Sequence, residues 1–192
     1  LILDEEATRE NILTKLFDIA KNAQKKDRIL IFYSGHGETI PFPTGGEVGY
    51  LVPVNAKPGN LIATGISMEE FKKISDLTIA NQVLYLVDAC YSGIMTVGKG
   101  IKRKKFDNDE EYIKYVTTQP SKQIITAGGK DDEVIEKAIW GHSAFTKELL
   151  LGIEDGLADG QNPDGYITAK ELSTYLSKSV FITSDNNQKP ID

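Results

Sequence analysis

Two short segments carry residues able to do nucleophilic chemistry. They are Ser34-Gly35-His36-Gly37 and Asp88-Ala89-Cys90-Tyr91-Ser92-Gly93. A free cysteine thiol has a pKa near 8.5 and is mostly protonated at neutral pH. An imidazole beside it takes that proton and later returns it to a leaving amine. Glycines at 35 and 37 let the backbone turn sharply and approach a substrate closely. The N–H groups of Gly37 and Cys90 are then candidate donors to an oxyanion. A lone cysteine is more often a buried small hydrophobe than a nucleophile. Cys90, however, is followed by Tyr-Ser-Gly rather than by an apolar run, which places it where a strand is ending.

Those residues need elements to hold them. His36 follows the aliphatic run Arg28 to Tyr33, and Cys90 follows the run Gln82 to Val87. Near-continuous apolar runs of this length read as strands covered on both faces, the habit of parallel sheets. Ligands bind outside the carboxyl ends of such strands. If the two strands are parallel, His36 and Cys90 emerge on the same edge of the sheet. A third strand is expected at Gln123 to Ala127. Gly49 to Val54 is a weaker candidate, because Pro53 demotes it to an edge or a hairpin.

Helical patterns alternate with these runs. Thr8 caps a predicted helix carrying Ile12, Leu16, Ile19 and Ala23. Ser67 with Glu70, and Thr168 with Glu171, form capping-box signatures. A further helix is expected from Ser143 to Gly152. The alternation predicts an α/β fold, a three-layer α/β/α sandwich with a mostly parallel sheet, as a single domain over residues 1–192. The segment 98–120 interrupts the order. Its charge is sorted, with Lys99, Lys102, Arg103, Lys104 and Lys105 ahead of Asp107, Asp109, Glu110 and Glu111. It reads as a long flexible loop.

Composition bounds the remaining choices. The 192 residues are 40% hydrophobic and 26% charged, which suits a folded chain rather than a disordered one. A net charge of -6 argues against a general nucleic-acid or anionic-membrane binder. The single cysteine excludes an internal disulfide framework and a Cys-rich zinc site. No apolar run approaches the roughly 18 residues of a membrane helix. With no signal peptide and an opening of Leu1-Ile2-Leu3-Asp4, the chain is expected to be a cytoplasmic fragment of something longer.

FYSGHG followed by LVDACYSG resembles the caspase-like cysteine peptidases (peptidase C14, clan CD). Asp88 stands two residues before the cysteine, where caspases have Gln, so the likeness is to the metacaspase and bacterial caspase-like branch. ATRENI, TGISMEEF, ITAGGKDDE, HSAFTKELLLGI, DGYITAKELSTYL and NNQKP follow in that branch's order. The resemblance implies His36 as general base and acid, Cys90 as nucleophile, and Gly37 with Cys90 as the oxyanion hole. It implies an S1 pocket lined by Asp88 beside Ser34, where a carboxylate selects Lys or Arg. The rival reading of Asp88 is a strand-end cap. Asp131, Asp132 and Glu133 either add acidity to that pocket or form a solvated loop. The resemblance also implies a strand and helix ahead of residue 1 that this chain lacks, and attached regulatory domains as partners.

No cofactor or metal is expected. Metacaspases often bind calcium through a cluster of acids between the His and the Cys; here that stretch offers Glu38, Glu47 and Asn55 where more carboxylates would be expected. Asp164-Gly165 with Glu171 imitates an EF-hand loop, yet Gly160 and Asn162 fall where carboxylates are wanted. A turn, a short strand and a capped helix fit that segment better. His142, the rival histidine, is expected in a loop or at the start of a helix. The exposed cations between Gly98 and Phe106 suit self-cleavage. The expected function is a cysteine endopeptidase that hydrolyses protein substrates after Lys or Arg. The alternatives are a transpeptidase using the same dyad, a non-catalytic module that binds basic peptides, and a calcium-binding structural domain.

Overall fold

The computed structural model describes residues 1–89, 109–129, 134–160 and 163–192, with the backbone alone at 109 and 110. In chain order its elements are α1 (Arg9–Asn22), β1 (Arg28–Ser34), β2 (His36–Pro41), β3 (Glu47–Val52), α2 (Leu61–Thr64), β4 (Ile66–Ser67) and α3 (Met68–Leu77). There follow β5 (Gln82–Asp88), α4 (Asp109–Thr118), β6 (Ser121–Thr126), β7 (Glu136–Lys137), β8 (His142–Ser143), α5 (Ala144–Glu154) and α6 (Ala169–Thr183).

The three expected strands form one parallel sheet in the order β1-β5-β6. Side chains alternate across β5, and each set meets its own helices. Val83, Tyr85 and Val87 pack with Leu16 of α1 and with Met68 and Phe71 of α3. The Phe71 and Tyr85 rings lie 4.9 Å apart at a tilt of 53°. On the other face, Leu86 of β5 and Ile125 of β6 pack with Phe145 and Leu149 of α5 and with Leu172, Leu176 and Val180 of α6. Helices on both faces of a parallel sheet make the expected three-layer sandwich. Each fully buried side chain of this size contributes roughly 1.5–3 kcal/mol.

The helix starts follow from their caps. Asn11 donates its N–H to the Thr8 hydroxyl at the head of α1. Ser67 with Glu70 and Thr168 with Glu171 form reciprocal capping boxes. The buried stripe of α1 is Leu16 and Ala20, with Ile12 and Leu13 packed behind them. Ile19 is half-exposed and Ala23 is the C-cap, one turn off the expected face.

The structure adds to the sequence reading at the remaining strands and corrects it in the charged segment. His36 opens a strand, β2, which pairs antiparallel with β3 in a separate three-stranded sheet, β2-β3-β4. Gly37 and Pro41 hid that strand. β3 stops at Val52, before Pro53, as a hairpin strand should. The charged segment 98–120 holds the helix α4. The carbonyls of Val116 in its last turn and of Gln119 just beyond it accept bonds from the Gln82 side chain at 2.7 and 3.3 Å. Residues 98–108 lie outside the described residues. The third strand begins at Ser121 and ends at Thr126.

Among the described residues the outer edge of β1 has no ladder partner, and Leu30 and Phe32 are exposed on its face at 58% and 45%. No described helix is long and apolar enough to cross a membrane.

Candidate active site

Parallel pairing brings two strand ends together. β1 and β5 run in register from Arg28 opposite Gln82 to Ser34 opposite Asp88. One further bond extends the ladder: the Gly35 N–H donates to the Asp88 carbonyl at 3.1 Å. The chain then bends at Gly35 and enters β2 with His36 opposite Val52 and Gly37 opposite Leu51. His36 and Ser34 are exposed. Cys90 lies outside the described residues, as do Tyr91, Ser92, Gly93, Asp131, Asp132 and Glu133. The structure therefore places His36, Gly37, Ser34 and Asp88 around the carboxyl ends of β1 and β5.

Tyr33 supports the bend. Its ring packs against the α1–α3 core, and its phenol donates to the His36 carbonyl at 3.1 Å and the Val52 carbonyl at 3.4 Å. Burial pushes that phenol up to about 12, and the Val52 bond draws it partly back. Among the described residues nothing hydrogen-bonds the His36 imidazole, so its backbone sets its place.

Asp88 is buried and turned toward the N-terminus of α5. Its Oδ2 accepts from the Ser143 hydroxyl at 2.5 Å and from the Thr146 hydroxyl. Its Oδ1 is buried with no partner among the described residues. Burial holds the carboxyl above its ordinary range. The two hydroxyl bonds oppose that rise, Glu136 adds to it and His142 reduces it. Asp88 thus binds two hydroxyls at the head of α5, and the N–H groups that follow it in the chain from Cys90 on lie outside the described residues. Ser143 was legible as a helix start, because it also caps α5 by accepting the Thr146 N–H at 2.9 Å. Nothing in the spacing linked it to Asp88.

His142 is exposed on the short strand β8, just before α5. The described part of the EF-hand-like segment is a turn and a capped helix, without the expected short strand, because side chains and not a ladder partner take up its N–H groups. Asp159 accepts the N–H groups of Asp164 and Gly165, Asp164 accepts that of Tyr166, and Glu171 is engaged with Thr168. Asn162 lies outside the described residues. Asn55 bonds the Arg9 N–H and the Glu10 carboxylate, each at 2.9 Å.

The caspase domain model of the C14 peptidases matches residues 2–190. The chain belongs to the caspase domain family. That family is one of cysteine peptidases. It is also similar to Metacaspase-6 of Arabidopsis thaliana, 27% identical over 132 residues. That match takes in 64% of this chain and 34% of the relative, so the chain spans about a third of that protein's length. In three dimensions it resembles the crystal structure of protein GSU0716 from Geobacter sulfurreducens, with a TM-score of 0.61 at 16% identity. That likeness covers 99% of this chain and 74% of the other, and it is one of fold.

Proposed function

We propose that this chain is a cysteine endopeptidase that cleaves after Lys or Arg, with Cys90 as nucleophile and His36 as its base and acid. The observation that carries this reading is the register of Ser34 with Asp88. Neighbouring strands lie roughly 4.8 Å apart. Cys90 follows Asp88 by the same two residues by which His36 follows Ser34. A chain of two residues reaches no more than about 7 Å.

The chemistry then closes on itself. The imidazole of His36 takes the thiol proton, and Sγ bonds to the scissile carbonyl carbon. The carbonyl oxygen takes up negative charge, for which the N–H groups of Gly37 and Cys90 serve as donors. The C–N bond breaks as the imidazolium gives its proton to the leaving amine, which leaves a thioester. Water then loses a proton to His36 and adds to the thioester carbonyl. The C–S bond breaks, and Sγ regains the proton.

Specificity in this reading comes from Asp88 beside Ser34. A carboxylate oxygen that is buried and unpaired is complemented by a cationic side chain and is costly to leave against any other. The edge of β1, without a ladder partner among the described residues and with Leu30 and Phe32 exposed, fits the additional strand that the family resemblance implies. A fluorogenic panel with Arg, Lys, Asp and Leu at the cleaved position tests the proposal, run on this chain and on a longer one that supplies that strand. Cleavage after Arg and Lys alone is expected; cleavage after Asp or Leu at comparable rates overturns the specificity.

A further inference from the structure

We infer that Tyr33 and Gly35 form a lock that fixes the backbone of His36 against the end of β5, which makes both of them positioning residues for the imidazole. The inference rests on the reading of His36 as the base.

Three contacts compose the lock. The first is the Tyr33 phenol. One O–H is shared between the carbonyls of His36 and Val52, at 3.1 and 3.4 Å. Those two residues face each other as a pair of the β2–β3 ladder. The phenol therefore fastens the outer end of the hairpin at the residue that bears the imidazole.

The second contact is an absence. A Cβ on Gly35 would lie 2.8 Å from the Tyr33 phenol oxygen, 3.1 Å from Cζ and 3.3 Å from Cε1. The ring lies across the one residue that separates β1 from β2, and any side chain there must push it aside. Gly35 is required here for close approach.

The third contact points the other way. The Gly35 N–H donates to the Asp88 carbonyl at 3.1 Å. The residue just before His36 is thus tied to the last residue of β5, two residues ahead of Cys90. The peptide of His36 is held from the core side through Tyr33 and from the sheet side through Gly35. Among the described residues no group orients the imidazole itself, so this backbone hold determines where the ring stands. A buried phenol remains a donor through the whole neutral range, so the lock does not depend on pH there.

Enzymes lose about 100-fold when a reacting group is misplaced by about 1 Å. The test compares Tyr33→Phe, Gly35→Ala and the double variant with the unchanged chain on a peptidyl-arginine substrate. Tyr33→Phe keeps the ring and removes the bond; its kcat is expected to fall about tenfold or more, with KM within about twofold. Gly35→Ala is expected to lose more. Adding Tyr33→Phe to it is expected to recover part of that loss, since the clashing oxygen is gone.

A second readout does not depend on turnover. Cys90 is the single cysteine, so iodoacetamide alkylation followed against pH reports its thiolate alone. Tyr33→Phe is expected to move that midpoint upward, toward the free-thiol value near 8.5. An unchanged kcat and an unchanged alkylation midpoint in Tyr33→Phe overturn the lock, as does a multiplicative loss in the double variant. If instead His36→Ala matches the unchanged chain in both assays, the reading of His36 has failed rather than the lock alone.

Discussion

Ser34 and Asp88 stand opposite each other as the last aligned pair of two parallel strands. Two positions after each strand end stands one residue of the proposed dyad, His36 in one case and Cys90 in the other. The consequences for the chemistry come from that pairing and from what surrounds Asp88.

The two histidines separate cleanly. His36 lies at the shared strand end, whereas His142 is exposed on β8. His36→Ala is expected to lower kcat on a peptidyl-arginine substrate by about 100-fold or more, the range of general acid–base catalysis. His142→Ala is expected to stay within about threefold. Steady-state kinetics of the two variants checks this, and the reverse order would reassign the base.

Asp88 gives a pH signature in stability. Burial raises its folded-state pKa above the ordinary carboxylate value. The folded chain therefore holds a proton that the unfolded chain has lost, and stability falls as pH climbs from the ordinary value through the raised one. Asp88→Asn keeps an acceptor for Ser143 and Thr146 but does not titrate. Thermal melts of both proteins against pH are expected to diverge in favour of the variant as pH rises, while its cleavage after Arg drops. A parallel pair of melting curves would contradict the assignment.

Tyr33 titrates at the other extreme. Its phenol ionises at about 12, so the contribution it makes is intact below about 10 and is lost as pH rises through the interval. The loss is up to about 2 kcal/mol after allowance for partial exposure. Absorbance of phenolate at alkaline pH, compared with Tyr33→Phe, is expected to show one late-titrating tyrosine missing from the variant.

Much of this architecture was legible because the signals were local and agreed. The runs 28–33 and 82–87 have no polar interruption, and the capping boxes at Ser67 and Thr168 have both partners in place. β2 was not legible, because a strand with Gly37 and Pro41 depends on its partner β3 rather than on its own propensity. α4 was not legible, because its acidic start reads as part of the sorted charge run of the segment and its tail is held by Gln82 from far along the chain. The same holds at the site. His36 and Asp88 were identifiable as residues, but the hydroxyls of Ser143 and Thr146 reach Asp88 from an element more than fifty residues away. Sequence spacing carries no trace of such a contact.

Calcium is expected to have no role between His36 and the end of β5. Asn55 already bonds Arg9 and Glu10, and Glu38 and Glu47 sit on β2 and β3. Calcium titration against turnover is expected to be flat; a steep requirement would show a site that this arrangement does not provide.

Self-cleavage has its own check. Incubated protein is expected to yield new termini after the cations of residues 98–106, and Cys90→Ala protein is expected to stay whole. Identical intact masses in both would remove that step.

The most direct measurement is covalent capture. A peptidyl-arginine acyloxymethyl ketone is expected to add once, on Cys90, with the rate greatly reduced in His36→Ala. An aspartyl or leucyl analogue is expected to leave the protein unlabelled. Equal labelling of the unchanged chain and His36→Ala, or of all three probes alike, would contradict an imidazole-activated thiol that reads a cationic side chain.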